Sequence, residues 1–245
     1  MARENPSWGE ERIADELWLK LSIHVSPRTV RAYWPAKDPW SKRRSQSWNT
    51  FTRNHARALV ACDFMVAVAA RLHVIYILVV MEIGTRRILH CNTTPHLTAK
   101  WTIQQLREAI RSDHEYRFLI HDRHATFSSE LDAAVANLGL QVLKTPIRTP
   151  QANAYCERLI GTIRRECLDF MIPLNERHLR RIVHEWVSHY NRGRPHSCLG
   201  PGIPDQRTAP PYRLHRHSLE GEKRIISTSI LGGLHHEYAL ERAAA

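Results

Sequence analysis

Apolar and polar positions fall into blocks that change period along this chain. Ile13, Leu17, Leu19 and Leu21, with Trp18, recur at roughly helical spacing. "SIHV" breaks that pattern, and Ser26-Pro27 opens a second short helix, serine suiting the N-cap and proline the first helical position. Val30, Tyr33 and Trp34 are expected to pack this helix back, leaving Arg28, Thr29, Arg31 and Ala32 outward. From Ala58 the pattern becomes strand-like. "ALVACDFMVAV" and "LHVIYILVVMEI" read as adjacent strands and "RRILHCNTT", entered through Gly84, as a third; their short links predict an antiparallel meander. "TAKWTIQQLREAIRS" is a helix with Trp101, Leu106 and Ile110 inward. A strand "RFLIHD", a helix over about 128–138 and a strand "LQVLKT" follow. A proline-punctuated loop then leads into a helix carrying Glu157, with Thr149 and Pro150 as its expected cap and first turn. The last long helix, about 175–191, has Leu179, Ile182, Val183, Trp186 and Val187 as its stripe and stops in "YNRGRPHSCLG". Two β-prone runs around Gly232-Gly233 predict a small hairpin.

These elements divide the chain into a helix-turn-helix segment (1–34), a basic linker (35–57), an α/β core (58–192) and a basic tail (193–245). The core order, βββαβαβα, resembles the ribonuclease H-like fold: a mixed five-stranded sheet with helices on both faces and sites gathered at strand ends. A length of 245 residues with 43% apolar content supports one such domain plus attachments.

Charge narrows the partner. The formal net charge of +11 points to a polyanion, nucleic acid ahead of an anionic membrane surface. The polar N-terminus shows no signal peptide. The longest apolar run, Val74 to Met81, is far short of the ~20 residues that a spanning helix needs. A soluble protein is expected, cytoplasmic and nucleoid-associated in a bacterium. Cys62, Cys91, Cys156, Cys167 and Cys198 are scattered without a C-x-x-C pair, which argues against disulfides or structural zinc. His215 with His217, and His235 with His236, read as surface or DNA-facing side chains rather than ligands. Arg28 and Arg31 on the second N-terminal helix suit major-groove entry, against the alternative of a plain helical hairpin. The linker, with six basic side chains and one acid, offers Arg43 and Arg44 to phosphates, or serves as a solvated tether.

Three carboxylates stand where carboxylates are costly. Asp63 lies inside an apolar strand, Asp122 ends one, and Glu157 sits on a helix. A buried unpaired charge is expensive, so Asp63 needs either a buried arginine or a cation. Three acids converging from separate elements favour divalent cations, and hard oxygen donors select Mg²⁺ or Mn²⁺. Two such ions suit phosphoryl chemistry. On the helix, positions i−4, i+4 and i+7 from Glu157 are Asn153, Gly161 and Arg164. Arg164 is the leading candidate for gripping DNA beside the site, with Asn153, Arg158 and Arg165 alongside it. Gly161 would admit a DNA backbone or ease helix packing.

Asp63, 58 residues, Asp122, 34 residues and Glu157 form a pattern that resembles the integrase core of DDE transposases from bacterial insertion sequences and of retroviral integrases. "ACDF", "HDRHATF", "TPIRTPQANAYCERLIGTIRRECLD" and "HYNRGRPHSCLG" resemble its local motifs over about residues 50–205. His124 departs from the usual acid or glycine, and the zinc-binding domain of retroviral integrases has no counterpart. The resemblance implies a two-metal enzyme in which Asp63 bridges both ions while Asp122 and Glu157 each take one. It implies cleavage at element ends, then direct attack of the freed 3′-hydroxyl on target DNA, by a homo-oligomer on double-stranded DNA. The alternatives are a ribonuclease H-like nuclease without strand transfer and an inactive DNA-binding protein.

Overall fold

Strand β1 (Leu59–Val68) organises the sheet because its alternation feeds two cores at once. Leu59, Ala61, Met65 and Ala67 face one layer, while Val60 and Cys62 face the other. The computed structural model describes residues 10–34, 48–122, 129–144, 153–199, 202–205 and 223–242. β1 pairs antiparallel with β2 (Val74–Glu82), which pairs antiparallel with β3 (Ile88–Thr94). On its other side β1 runs parallel to β4 (Phe118–His121), and β4 parallel to β5 (Gln141–Lys144). The order β3-β2-β1-β4-β5 is the expected mixed five-stranded sheet.

Helices cover both faces, as the two-sided hydrophobicity of β1 and β2 requires. On one face α4 (Ala99–Ala109) and α5 (Ser129–Asn137) bury Ile103, Leu106, Leu131 and Val135, with Ile110 just beyond α4. On the other, α6 (Ala154–Glu166) and α7 (Glu176–Arg192) bury Cys156, Leu159, Ile163, Leu179, Val183 and Trp186. Asn175 caps α7 by accepting from the His178 amide. The motif after the stripe of α7 is mostly a fastening. The Asn191 side-chain amide donates to the Ile88 carbonyl and accepts from the Ile88 amide, both at 2.9 Å, joining α7 to the sheet edge.

The chain divides into two units, 1–47 and 48–245. In the first, α1 (Glu10–Leu21) and α2 (Pro27–Ala32) form the expected helix pair, and Ser26 caps α2 through the Thr29 amide with Pro27 in the first turn. The expected inward face is only partly right. Ile13 and Ala14 are buried, but Trp18, Leu19 and Tyr33 are 57%, 73% and 85% exposed. Two short helices bury one narrow seam, and these three positions lie off it. The expected linker also ends early: α3 (Trp48–Asn54) belongs to the second unit, where Phe51 packs edge-on against Phe118.

The C-terminal hairpin forms from β6 (Lys223–Ile230) and β7 (His235–Arg242), and it is docked rather than a free tail. Leu231 is buried, and its amide donates to Glu185. His189 Nδ1 lies 2.7 Å from Glu237, and His235 Nε2 lies 2.6 Å from the Glu166 carbonyl, so His235 serves packing rather than DNA-facing display. Gly193 admits this contact: a Cβ there would lie 2.0 Å from Glu237 Oε1.

Candidate active site

The parallel register Leu59↔Phe118, Val60↔Leu119, Ala61↔Ile120 brings two carboxylates abreast. Asp63 and Asp122 each lie two residues beyond the last of these pairs, and the charge of Asp122 reaches Asp63. The Asp63 face of β1 is the one covered by α6. Asp63 is partly buried, and its Oδ1 accepts from the Phe64 amide at 2.8 Å. Asp122 follows the last residue of β4, where an acid can leave the core without breaking the sheet.

α6 brings the third acid. Cys156, Leu159 and Ile163 bury its inner stripe, leaving Glu157 on its exposed side. Asn153 is the N-cap and is only 4% exposed. Its side-chain amide donates to the Cys62 carbonyl and to Asp63 Oδ2, both at 3.3 Å. This corrects the expectation of an outward, DNA-facing Asn153. The i−4 extrapolation assumed helical backbone, but Asn153 has φ −113° and ψ 23° and turns inward at the helix entrance. Thr149 and Pro150 lie outside the described residues.

The electrostatics tie the three acids together. Asp63 is pushed up to about 6, first by burial and then by the negative charges of Asp122 and Glu157, against the lowering effect of the Phe64 amide. No cation contributes to that balance. Burial and neighbouring carboxylates push the Cys62 and Cys156 thiols well above their ordinary range, so they remain neutral on opposite faces of the sheet. As the side chains stand, no three His, Cys, Asp or Glu among the described residues are gathered closely enough to hold an ion. The acids therefore share an electrostatic neighbourhood without forming a closed ligand set.

Behind Asp122 lies a support that sequence reasoning missed. His121 is fully buried, with Nδ1 2.6 Å from the Asp122 carbonyl and Nε2 3.2 Å from Asp132 Oδ1. Lys144 Nζ holds the other Asp132 oxygen at 2.5 Å. The only signal was a polar residue at an inward strand position, directly before the acid.

The remaining expected contacts are dispersed. Arg158, Arg164 and Arg165 are exposed on α6, and a Cβ on Gly161 would lie 3.0 Å from Arg165 Nη1, so this glycine makes room for a folded-back guanidinium. Arg28 and Arg31 are exposed on α2, and Arg31 pairs with Glu10. Arg43, Arg44 and His124 lie outside the described residues.

The sheet order with helices on both faces is a ribonuclease H-like fold, with one acid inside β1 and one just past β4. Residues 138–204, which include β5, α6 and α7, match the integrase core domain family. The chain is 33% identical over 63 residues to "Putative transposase InsD for insertion element IS2E" of Escherichia coli K12, covering 26% of this chain and 29% of that protein. It is 24% identical over 104 residues to an insertion element IS136 uncharacterized protein of Agrobacterium tumefaciens T37, covering 42% of this chain and 53% of that protein. The chain thus spans about half the length of that relative. A chain from the simian T-cell lymphotropic virus intasome in complex with PP2A regulatory subunit B56 gamma shares the fold at TM-score 0.50 and 12% identity, over 77% of this chain and 79% of that one. These matches bear out the resemblance to integrase-core transposases of bacterial insertion sequences. Among the described residues no helix is long and apolar enough to cross a membrane.

Proposed function

We propose that this chain is a DNA transposase or integrase of the DDE type, cutting a phosphodiester at an element end and joining the freed 3′ end to target DNA. The observation that carries this reading is Asp63, a partly buried carboxylate raised to about 6 by burial, Asp122 and Glu157 together. Such a cluster is uncomfortable as protein alone and suits a donor set awaiting hard cations. All three donors are carboxylate oxygens, which fits Mg²⁺ or Mn²⁺ and not zinc. When bound, two such ions supply positive charge at the attacking and leaving oxygens of the phosphoryl centre. Asp63 would face both, Asp122 one and Glu157 the other.

The chain's own residues supply the rest. The Phe64 amide and the Asn153 side chain fix the Asp63 carboxylate, and the His121–Asp132–Lys144 group fixes the strand end that presents Asp122. Arg158, Arg164 and Arg165 offer phosphate contacts beside Glu157, while Arg28 and Arg31 in segment 1–34 and Arg43 and Arg44 in the linker extend the DNA track. In the joining step the 3′-hydroxyl oxygen forms the new P–O bond, and the target strand's 3′ oxygen leaves with a proton. The working form is a homo-oligomer on double-stranded DNA, in the bacterial nucleoid.

A strand-transfer assay with pre-cut element ends and Mg²⁺ tests this directly. Joined products in the wild type, absent in Asp122→Asn while DNA binding persists, are expected. Cleavage without joining would make the protein a nuclease. Binding with neither reaction would make it an inactive DNA-binding protein.

A further inference from the structure

A second site lies on another flank of α6. A cavity of about 370 Å³ is lined by Arg86, Tyr155, Arg158, Tyr190, Arg194 and His196, with hydroxyls from Thr162 and Ser197. No carboxylate lines it. Glu166, the nearest acid in the electrostatics of the lining groups, is already taken by a two-pronged bond from Arg194 at 2.6 and 2.8 Å. Such a wall favours an anion.

Among the described residues two buried nitrogens of this wall have no partner, a guanidinium donor and an imidazole nitrogen. Arg86 lies with its guanidinium carbon 3.9 Å from the centre of the Tyr155 ring, and its buried Nη1 has no hydrogen-bond partner. His196 is only 8% exposed. It bonds the Tyr190 carbonyl and packs edge-on against the Tyr190 ring at 4.6 Å, yet its buried Nε2 has no partner. Leaving a buried polar atom unsatisfied is costly, and the Arg86 guanidinium nitrogen calls for an acceptor that the described residues do not supply.

The backbone gives a separate sign. Arg86 holds φ +66° in the turn between β2 and β3, a region that a bulky non-glycine residue seldom adopts. Asparagine or glycine would sit there more easily, whereas arginine brings a guanidinium to the cavity despite the strain.

We propose that this cavity binds a backbone phosphate of a nucleic-acid strand whose neighbouring phosphodiester lies at the carboxylates. Guanidinium groups recognise phosphate by paired N–H donation, which Arg86 and Arg158 in the lining can supply. The volume accommodates a phosphate with its sugar and falls within the range of ligand pockets. Placement fits a strand rather than a free anion, because Arg158 lines the cavity and follows Glu157 directly. The proposal rests on the reading of this chain as a DNA-processing protein.

Binding of the full chain to a fluorescein-labelled DNA duplex, without divalent metal and across 50–300 mM salt, tests it apart from catalysis. Arg86→Gln, with an unchanged melting temperature, is expected to flatten the slope of log K against log salt by about 0.9, the signature of one lost phosphate contact. Arg86→Lys, which keeps the charge, should restore most of the slope. Because His196→Asn carries a greater folding risk, Arg86 carries the test. An unchanged slope in a folded Arg86→Gln protein overturns the proposal, while metal-dependent joining by that variant would leave the catalytic reading standing. Saturation by inorganic phosphate or thymidine 5′-monophosphate as tightly as by DNA would overturn the strand assignment and make the cavity a free-phosphate site. No DNA binding by the wild type would remove both this proposal and the transposase reading.

Discussion

Two flanks of α6 carry opposite problems. Asp63 within β1, Asp122 just past β4 and Glu157 on α6 concentrate negative charge, and the cost appears as a carboxyl raised to about 6. At the other flank, Arg86 leaves a buried guanidinium nitrogen without a partner among the described residues, in a cavity whose described lining holds no carboxylate. One flank concentrates negative charge and the other positive. A metal-bound phosphodiester running past α6 would satisfy both, which neither flank indicates alone.

The largest expected effect breaks the acidic side. Glu157→Gln keeps the shape of an exposed helical side chain but removes its charge. If Glu157 holds an ion, metal-dependent cleavage falls by ~10³-fold or more, because several kcal/mol of transition-state charge stabilisation is at stake. Near wild-type cleavage in a single-turnover assay would remove Glu157 from the site. DNA binding without metal should hardly change.

Asp63→Asn separates stability from activity at the same place. The folded carboxyl titrates near 6, against 3.8 for an ordinary aspartate. Its folded pKa is raised, so its contribution to stability is greatest below about 4 and is lost as pH rises through 6. The asparagine variant should therefore unfold at higher temperature than the metal-free wild type at pH 7. The gain is about 2 kcal/mol after allowing for partial exposure, shrinking towards pH 4. Mg²⁺ should raise the melting temperature of the wild type and not of the variant. A pH-independent difference would show that the Asp63 carboxyl is not raised in the folded chain.

The two flanks also differ in how far the sequence revealed them. An aspartate inside "ALVACDFMVAV" contradicts its surroundings, as do Asp122 at the end of an apolar strand and Glu157 on an amphipathic helix, and their spacing resembles that of the integrase core. The sheet was legible for the same reason: strand and helix periods switch cleanly from Leu59 onward. Nothing local marks the basic cavity. Arg86 sits in a turn rich in ordinary polar residues, and it meets Tyr155 and His196 only after three distant segments pack. Asn153 shows the opposite error, a regular period carried one residue past the place where the helix begins. In the N-terminal pair, Trp18, Leu19 and Tyr33 were assigned to a core that two short helices cannot provide. The hairpin was visible, but its docking through Glu237 was not, because Gly193 looked like a helix stop and nothing more.

A smaller effect tests that docking. Gly193→Ala would place a methyl group against Glu237, forcing the carboxylate from His189. The loss of one buried charge-assisted contact should cost about 1–2 kcal/mol, read by denaturant unfolding. Salt dependence of DNA binding should stay as in the wild type. A changed slope would mean that the hairpin helps to shape the neighbouring cavity.

The smallest effect asks whether the two flanks hold one strand. Arg164 lies two turns beyond Glu157 and is exposed on α6, so Arg164→Ala should leave stability unchanged and lower the salt slope by about 0.9. Arg86→Gln is expected to do the same from the other flank. If each residue holds its own phosphate, the double variant loses about twice that slope, because counterion release is additive over separate contacts. A double variant no flatter than either single one would mean that the two arginines share a phosphate. That would bring Arg164 to the mouth of the cavity and collapse the contrast between the flanks into one continuous groove.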